Sequence, residues 1–352
     1  MKIEISTAVE QAIQNFQLPE SLGFGTVMAP IMIESNYINR EWGPLKILPY
    51  QNLSLAPTCK TLHYAQEIFE GLKAYRVNEQ TLNLFRPQKN ADRFDYSAGR
   101  MAMPKLPDGM FLQGIKEMAQ LCSKFVPNES GSSLYIRPFM FATEESLGIK
   151  PSESFKFLII ASPSGSYFSA GTLPVYIERE AIRACPGGVG TAKTGGNYAA
   201  SLHSAVRAKK MDCLQTLWLD AIEKKYIEEM SGMNFMTIIN DQLVTPELND
   251  TILDGITRNS IIELAKLNDI PVVEKNMDIS ELIDQIQSGN CTEAFACGTA
   301  AIITPIHCFI ENDGTSYQLK RTFGPIVKKL KEDLLNIQEG RLNAPKDWII
   351  QI

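Results

Sequence analysis

The chain has 352 residues, 44% hydrophobic and 21% charged, which is enough apolar material for two domains or one large one. Its 40 acidic and 34 basic residues leave a net charge of −6 and no basic run, which argues against nucleic acid as a partner. Seven cysteines without a CxxC pair and three scattered histidines argue against a disulfide framework and a dedicated metal site.

No apolar run approaches the length of a membrane span, and the opening MKIEISTAVEQAIQNF has no apolar leader core, so a soluble cytoplasmic protein is expected. Along the chain, strand-like runs fall at 45–48 and 82–85, and helical spacing at 63–70, 90–101 and 111–125. SLYIRPFMF (133–141) and the run at 156–161 read as further strands. SPSGSYFSAGTLP (162–174) then breaks the pattern with glycine and proline, which predicts a connection over 164–175 between a domain of 1–163 and one of 176–352. Beyond it come a strand at 175–180, a helix at 197–210 and a buried strand at 213–219. A hairpin of 226–229 with 233–239 and a helix at 256–267 follow. Mixed elements in both halves predict an α/β (α+β) protein of two domains, with function in the cleft between them.

The most informative stretch is GGVGTAKTGGNYAASLHSAV, 187–206. It is nearly a phosphate-binding P-loop, yet Ala192 stands where the motif needs glycine and no strand leads into Gly187. A dinucleotide fingerprint fails as well, for lack of a third glycine in register. On the residues alone, Lys193 is either a solvated loop lysine or a covalent catalyst. The covalent reading has company downstream. Glycines around Lys193 give a flat aromatic cofactor access to the backbone. Glu229 offers a carboxylate for a pyridine nitrogen, Tyr198 a hydroxyl, and DGITRN (254–259) and ACGTAA (296–301) two turns suited to phosphate.

KTGGNYAAS resembles the lysine segment of branched-chain aminotransferases of pyridoxal 5'-phosphate (PLP) fold type IV. LHYAQEIFEGLKAYR (62–76), LFRPQKNADRF (84–94), SLYIRPFMF, GSYF (165–168), IEEMSGMNF (227–235), DGITRNSI (254–261) and FACGTAAI (295–302) match that family in the same order. The resemblance implies transamination of leucine, isoleucine or valine with 2-oxoglutarate, by a ping-pong mechanism in a homodimer, with no nucleic-acid or membrane partner.

It also implies residue roles. Lys193 holds PLP as a Schiff base and moves a proton. Glu229 pairs with the pyridine nitrogen; Glu228 has equal chemistry, and only the register of the match prefers Glu229. Tyr198 donates to the ring oxygen. Arg93, the amides of Ile256 and Thr257, and Thr299 hold the phosphate. The Ala300 amide meets the substrate carboxylate, and Phe24, Tyr64, Phe69, Tyr135 and Tyr167 wall an apolar pocket. Arg137, on the same strand face as Tyr135, receives the second carboxylate of glutamate together with Tyr64. The chain departs from the family at Met28–Ile31, where Phe-Thr-Asp-His is usual. Gly232 resembles bacterial members, and Ala301 and Thr304 replace the CxxC pair of animal ones.

Overall fold

The computed structural model describes residues 2–165 and 171–352. Contacts divide them into two units. One comprises 2–165, 192–195 and 337–352, and the other 171–191 and 196–336.

In the first unit, strands β1 (Ile3–Ile5), β2 (Ile31–Ile38), β3 (Glu41–Trp42), β4 (Leu45–Pro49), β5 (Glu67–Phe69), β6 (Leu72–Arg76), β7 (Leu82–Phe85), β8 (Ser133–Ala142) and β9 (Phe155–Ser164) form most of one sheet. Its order is β1-β4-β2-β9-β8-β6-β7, with β3 on β2 and β5 on β8. Helices α1 (Val9–Asn15), α2 (Lys60–Tyr64), α3 (Pro87–Arg100) and α4 (Met110–Leu121) accompany it. α3 starts at Pro87, where a proline loses no intrahelical hydrogen bond. Phe94 of α3, Phe111 of α4 and Phe157 of β9 meet at centroid distances of 5.3–6.4 Å. Each buried ring of this kind contributes about 1.5–3 kcal/mol.

The helix expected over 63–70 is absent. α2 stops at Tyr64 because Ala65 turns left-handed (φ 49°), and Glu67–Phe69 then pairs as β5 with Phe139–Phe141 of β8. The apolar spacing of that stretch serves a strand edge.

The second unit has β10 (Leu173–Glu178), β11 (Gln215–Leu219), β12 (Ile227–Met230), β13 (Asn234–Ile239), β14 (Gln242–Pro246), β15 (Val272–Lys275), β16 (Cys291–Gly298), β17 (Ile302–Ile310) and β18 (Ser316–Gln318). The sheet order is β12-β11-β10-β17-β16-β13-β14-β15, with β18 on β17. Its helices are α5 (Gly195–Ala199), α6 (Leu202–Lys210), α7 (Ile256–Leu267), α8 (Ile279–Ser288) and α9 (Pro325–Gln338). Phe235 and Phe309 pack edge to face, 6.0 Å apart, in its core.

Two expectations fail here. β12 and β13 are not a hairpin: β12 pairs with β11, β13 pairs with β14 and β16, and a single Met230 N–H to Met233 carbonyl bond links the turn. The helix expected over 197–210 is two helices. Ser201 interrupts it by donating its hydroxyl to the Tyr198 carbonyl at 2.7 Å, a local bond that competes with the helix ladder. A last strand, β19 (Ile349–Gln351), returns to the first unit and pairs antiparallel with β7.

Candidate active site

In the first unit, Lys193 is held by its backbone. Its N–H donates to Ser97 Oγ of α3 at 3.0 Å, and its carbonyl accepts from the Phe69 N–H at 3.0 Å. Its side chain reaches the face of the Phe69 ring, with Nζ 4.9 Å from the centroid. The same ring carries the Arg137 guanidinium at 4.6 Å. Arg137 donates to the Tyr135 hydroxyl at 2.8 Å, and Phe24 packs edge-on against Tyr135 at 4.8 Å. Gly71 has no room for a side chain, because the Tyr135 hydroxyl occupies the place of a Cβ. Phe24, Phe69, Tyr135, Arg137 and Lys193 thus form one contact series. Tyr64 makes a different contact: 40% exposed, it donates its hydroxyl to the Leu147 carbonyl at 2.5 Å. Tyr167 lies outside the described residues.

Arg93 is steered by a residue that the sequence reading did not single out. Glu70, fully buried, accepts from Arg93 Nε at 2.7 Å and from Nη2 at 2.9 Å. Asn90 Nδ2 donates to the same carboxylate at 2.7 Å, so an acid and an amide orient the guanidinium. Glu70 sits in the EIFEG run, but its orienting role depends on α3 lying beside it.

In the second unit, Glu229 is held by side chains. Arg183 Nη1 lies 3.2 Å from Oε1, while the Leu253 N–H at 3.1 Å and Asn234 Nδ2 at 3.4 Å donate to Oε2. Arg183, 6% exposed, also donates to the Thr251 carbonyl. Thr251 in turn donates its hydroxyl to Glu228, the neighbouring carboxylate. Burial pushes the Glu228 carboxyl up to about 7, against an ordinary 4.5. The two adjacent acids therefore differ: Glu229 faces a cation, and Glu228 faces a hydroxyl. Arg183 was also missed, and its only signal was its place just before the glycine-rich run.

Ile256 and Thr257 open α7, whose N-cap, Gly255, has no side chain to cap the first turn. Its leading N–H groups lack intrahelical partners and suit an anion. Asn234 places its Oδ1 where a Cβ at Gly255 would lie, so the helix entry requires glycine there. Arg258 anchors that turn by donating to the Pro246 carbonyl at 2.9 Å and to Glu274 at 2.7 Å. Thr299 and Ala300 form the turn from β16 into β17, followed by Ile302 at φ 60°. A buried β-branched residue in that conformation stores about 1–3 kcal/mol of strain, which marks the turn as specified by its surroundings. Tyr198 lies half-buried on α5, five residues after Lys193.

Residues 67–309 match the family model described as amino-transferase class IV. The branched-chain-amino-acid transaminase 1 of Bacillus subtilis is 43% identical over 338 residues, covering 95% of each chain. The structure of a branched-chain aminotransferase from Thermoproteus uzoniensis, solved with norvaline, matches with a TM-score of 0.73 at 26% identity. It covers 91% of this chain and 99% of that one. That of a Thermobaculum terrenum branched-chain aminotransferase in PLP-form has the same fold, with a TM-score of 0.72 at 22% identity over 91% of this chain and 97% of its own. The chain belongs to the class IV aminotransferases and, within them, to the branched-chain-amino-acid aminotransferases, with the type IV fold.

Proposed function

We propose that this enzyme exchanges the amino group of leucine, isoleucine or valine for the oxo group of 2-oxoglutarate, giving a branched 2-oxo acid and glutamate in two half-reactions. PLP would be held by Lys193, Tyr198 and Glu229, with Arg93, Ile256, Thr257 and Thr299 at its phosphate. The residues fit the group: α7 starts from a glycine N-cap with its leading N–H groups suited to a phosphate, and Glu229 is kept as a fixed buried acid by Arg183. When bound, PLP supplies a carbonyl that captures amines and a ring that accepts electrons. Lys193 Nζ would carry the proton away from the substrate Cα and return it. The Ala300 amide would take the α-carboxylate, and Tyr167 is proposed as a further wall of the side-chain pocket.

The observation that carries this reading is the Phe69 ring, faced by the Lys193 amine at 4.9 Å and the Arg137 guanidinium at 4.6 Å. An apolar surface and a cation at one amine suit a substrate pair in which one side chain is aliphatic and the other ends in a carboxylate. A panel of amino donors with 2-oxoglutarate, read as glutamate formed, tests it. Leucine, isoleucine and valine should exceed alanine and D-amino acids, and the purified protein should show a visible absorption band. A D-amino acid preference would redirect the reading to another activity of the class. The proposal includes a homodimer in the cytoplasm; a fully active monomer in light scattering would remove the dimer.

A further inference from the structure

Glu67 has no part in the roles considered so far, yet its carboxylate accepts from the Gly195 N–H, and its Oε1 accepts from the Thr194 hydroxyl at 3.4 Å. These two residues directly follow Lys193. A Cβ at Gly195 would overlap Glu67 Oε1, so the glycine is needed for the acid to approach the backbone. Together with Ser97 on the Lys193 N–H and Phe69 on its carbonyl, Glu67 makes a third fixed point on a glycine-rich segment that has little rigidity of its own. Two of the three points, Glu67 and Phe69, lie on the short strand β5, whose pairing with β8 fixes them.

We infer that Glu67 is a positioning residue for Lys193: by accepting from Thr194 and Gly195 it sets the direction in which the Lys193 side chain leaves the backbone. Without this bond nothing from β5 holds the two residues after Lys193, only the N–H and carbonyl of Lys193 itself stay anchored, and the amine samples directions from which it cannot reach its target. Misplacement by about 1 Å costs roughly 10²-fold in rate. Burial holds the Glu67 carboxyl above its ordinary value, opposed by the Gly195 and Thr194 hydrogen bonds and by the Arg137 charge.

The inference rests on Lys193 binding PLP, so wild-type enzyme is measured first. If it neither absorbs in the visible with PLP nor transaminates, the function reading fails and not this one. Otherwise Glu67→Ala and Glu67→Gln are compared in kcat, KM, thermal midpoint and the fraction of Lys193 bearing cofactor after borohydride reduction, read by mass spectrometry at saturating PLP. Glu67→Ala should lower kcat by about 10- to 100-fold with KM for leucine nearly unchanged, and should lower the trapped fraction. Glu67→Gln keeps an acceptor oxygen and should restore both to within about threefold of wild type. An unchanged trapped fraction in Glu67→Ala, or Glu67→Gln as defective as Glu67→Ala, overturns the inference. If Glu67→Ala does not fold, Gly195→Ala displaces the same carboxylate from the other side. Wild-type kcat and trapping in that variant would equally overturn it.

Discussion

The two units hold their key residues in opposite ways. The Lys193 segment is fixed through its main chain, by Ser97, Phe69 and the Glu67 bonds just beyond it, which set the point from which the side chain departs. Glu229 is fixed through its side chain, by Arg183, Asn234 and the Leu253 amide, so its carboxylate cannot turn. On the proposed roles, a group that would travel between atoms is anchored behind itself, while one that would hold a charge in place is anchored at the charge.

The largest test of this contrast is Lys193→Ala. It should lower turnover by roughly 10⁴-fold or more, at the upper end of general acid–base contributions, while cofactor still binds reversibly. Near wild-type turnover by steady-state assay would remove Lys193 from the chemistry. Glu229→Gln keeps the shape and loses the charge. Its kcat should fall about 100-fold, close to 3 kcal/mol, with KM little changed. If Glu228→Gln shows that loss instead, the two acids have been assigned in the wrong order.

Arg183→Leu should strand Glu229 in a buried site. Breaking one partner of such a pair costs about 3–5 kcal/mol, visible as a lowered denaturation midpoint. Arg93→Ala should act on cofactor retention, with activity recovered by added PLP; no recovery at any concentration would assign Arg93 a purely structural role.

Glu228→Gln is the smallest effect, nearly silent in kcat. Because the folded Glu228 carboxyl titrates near 7 and the unfolded one near 4.5, the folded chain holds a proton that the unfolded chain has already lost between those values. Wild-type stability from this group is therefore lost as pH rises from about 4.5 to 7 and is level above that. The variant lacks this term, so its thermal midpoint should gain on wild type across that window. A constant difference between the two would mean that Glu228 does not titrate there.

Much of this was legible in the sequence because it was local. Strands such as 82–85 and 133–141, the α7 start at DGIT, and the lysine in its glycine run are patterns of a few adjacent residues. What stayed hidden was non-local. The spacing over 63–70 fits a helix, and only the partner strand β8 decides otherwise. β12 and β13 look like a hairpin until each finds a different neighbour. Arg183 and Glu70 matter through residues 46 and 23 positions away, Glu229 and Arg93, and no motif around either announces the pairing.

The strand β19 has a consequence for how the chain is made. Its partner β7 ends at Phe85, and about 260 residues must be translated before Ile349 emerges to pair with it. At about 5–20 residues per second that is roughly 13–50 s during which this side of β7 has no strand beside it. An unpaired edge is a template for other chains. The nascent polypeptide therefore carries an aggregation hazard early, and chaperone demand should depend on elongation rate; slowing the ribosome downstream of codon 85 should lower the soluble yield.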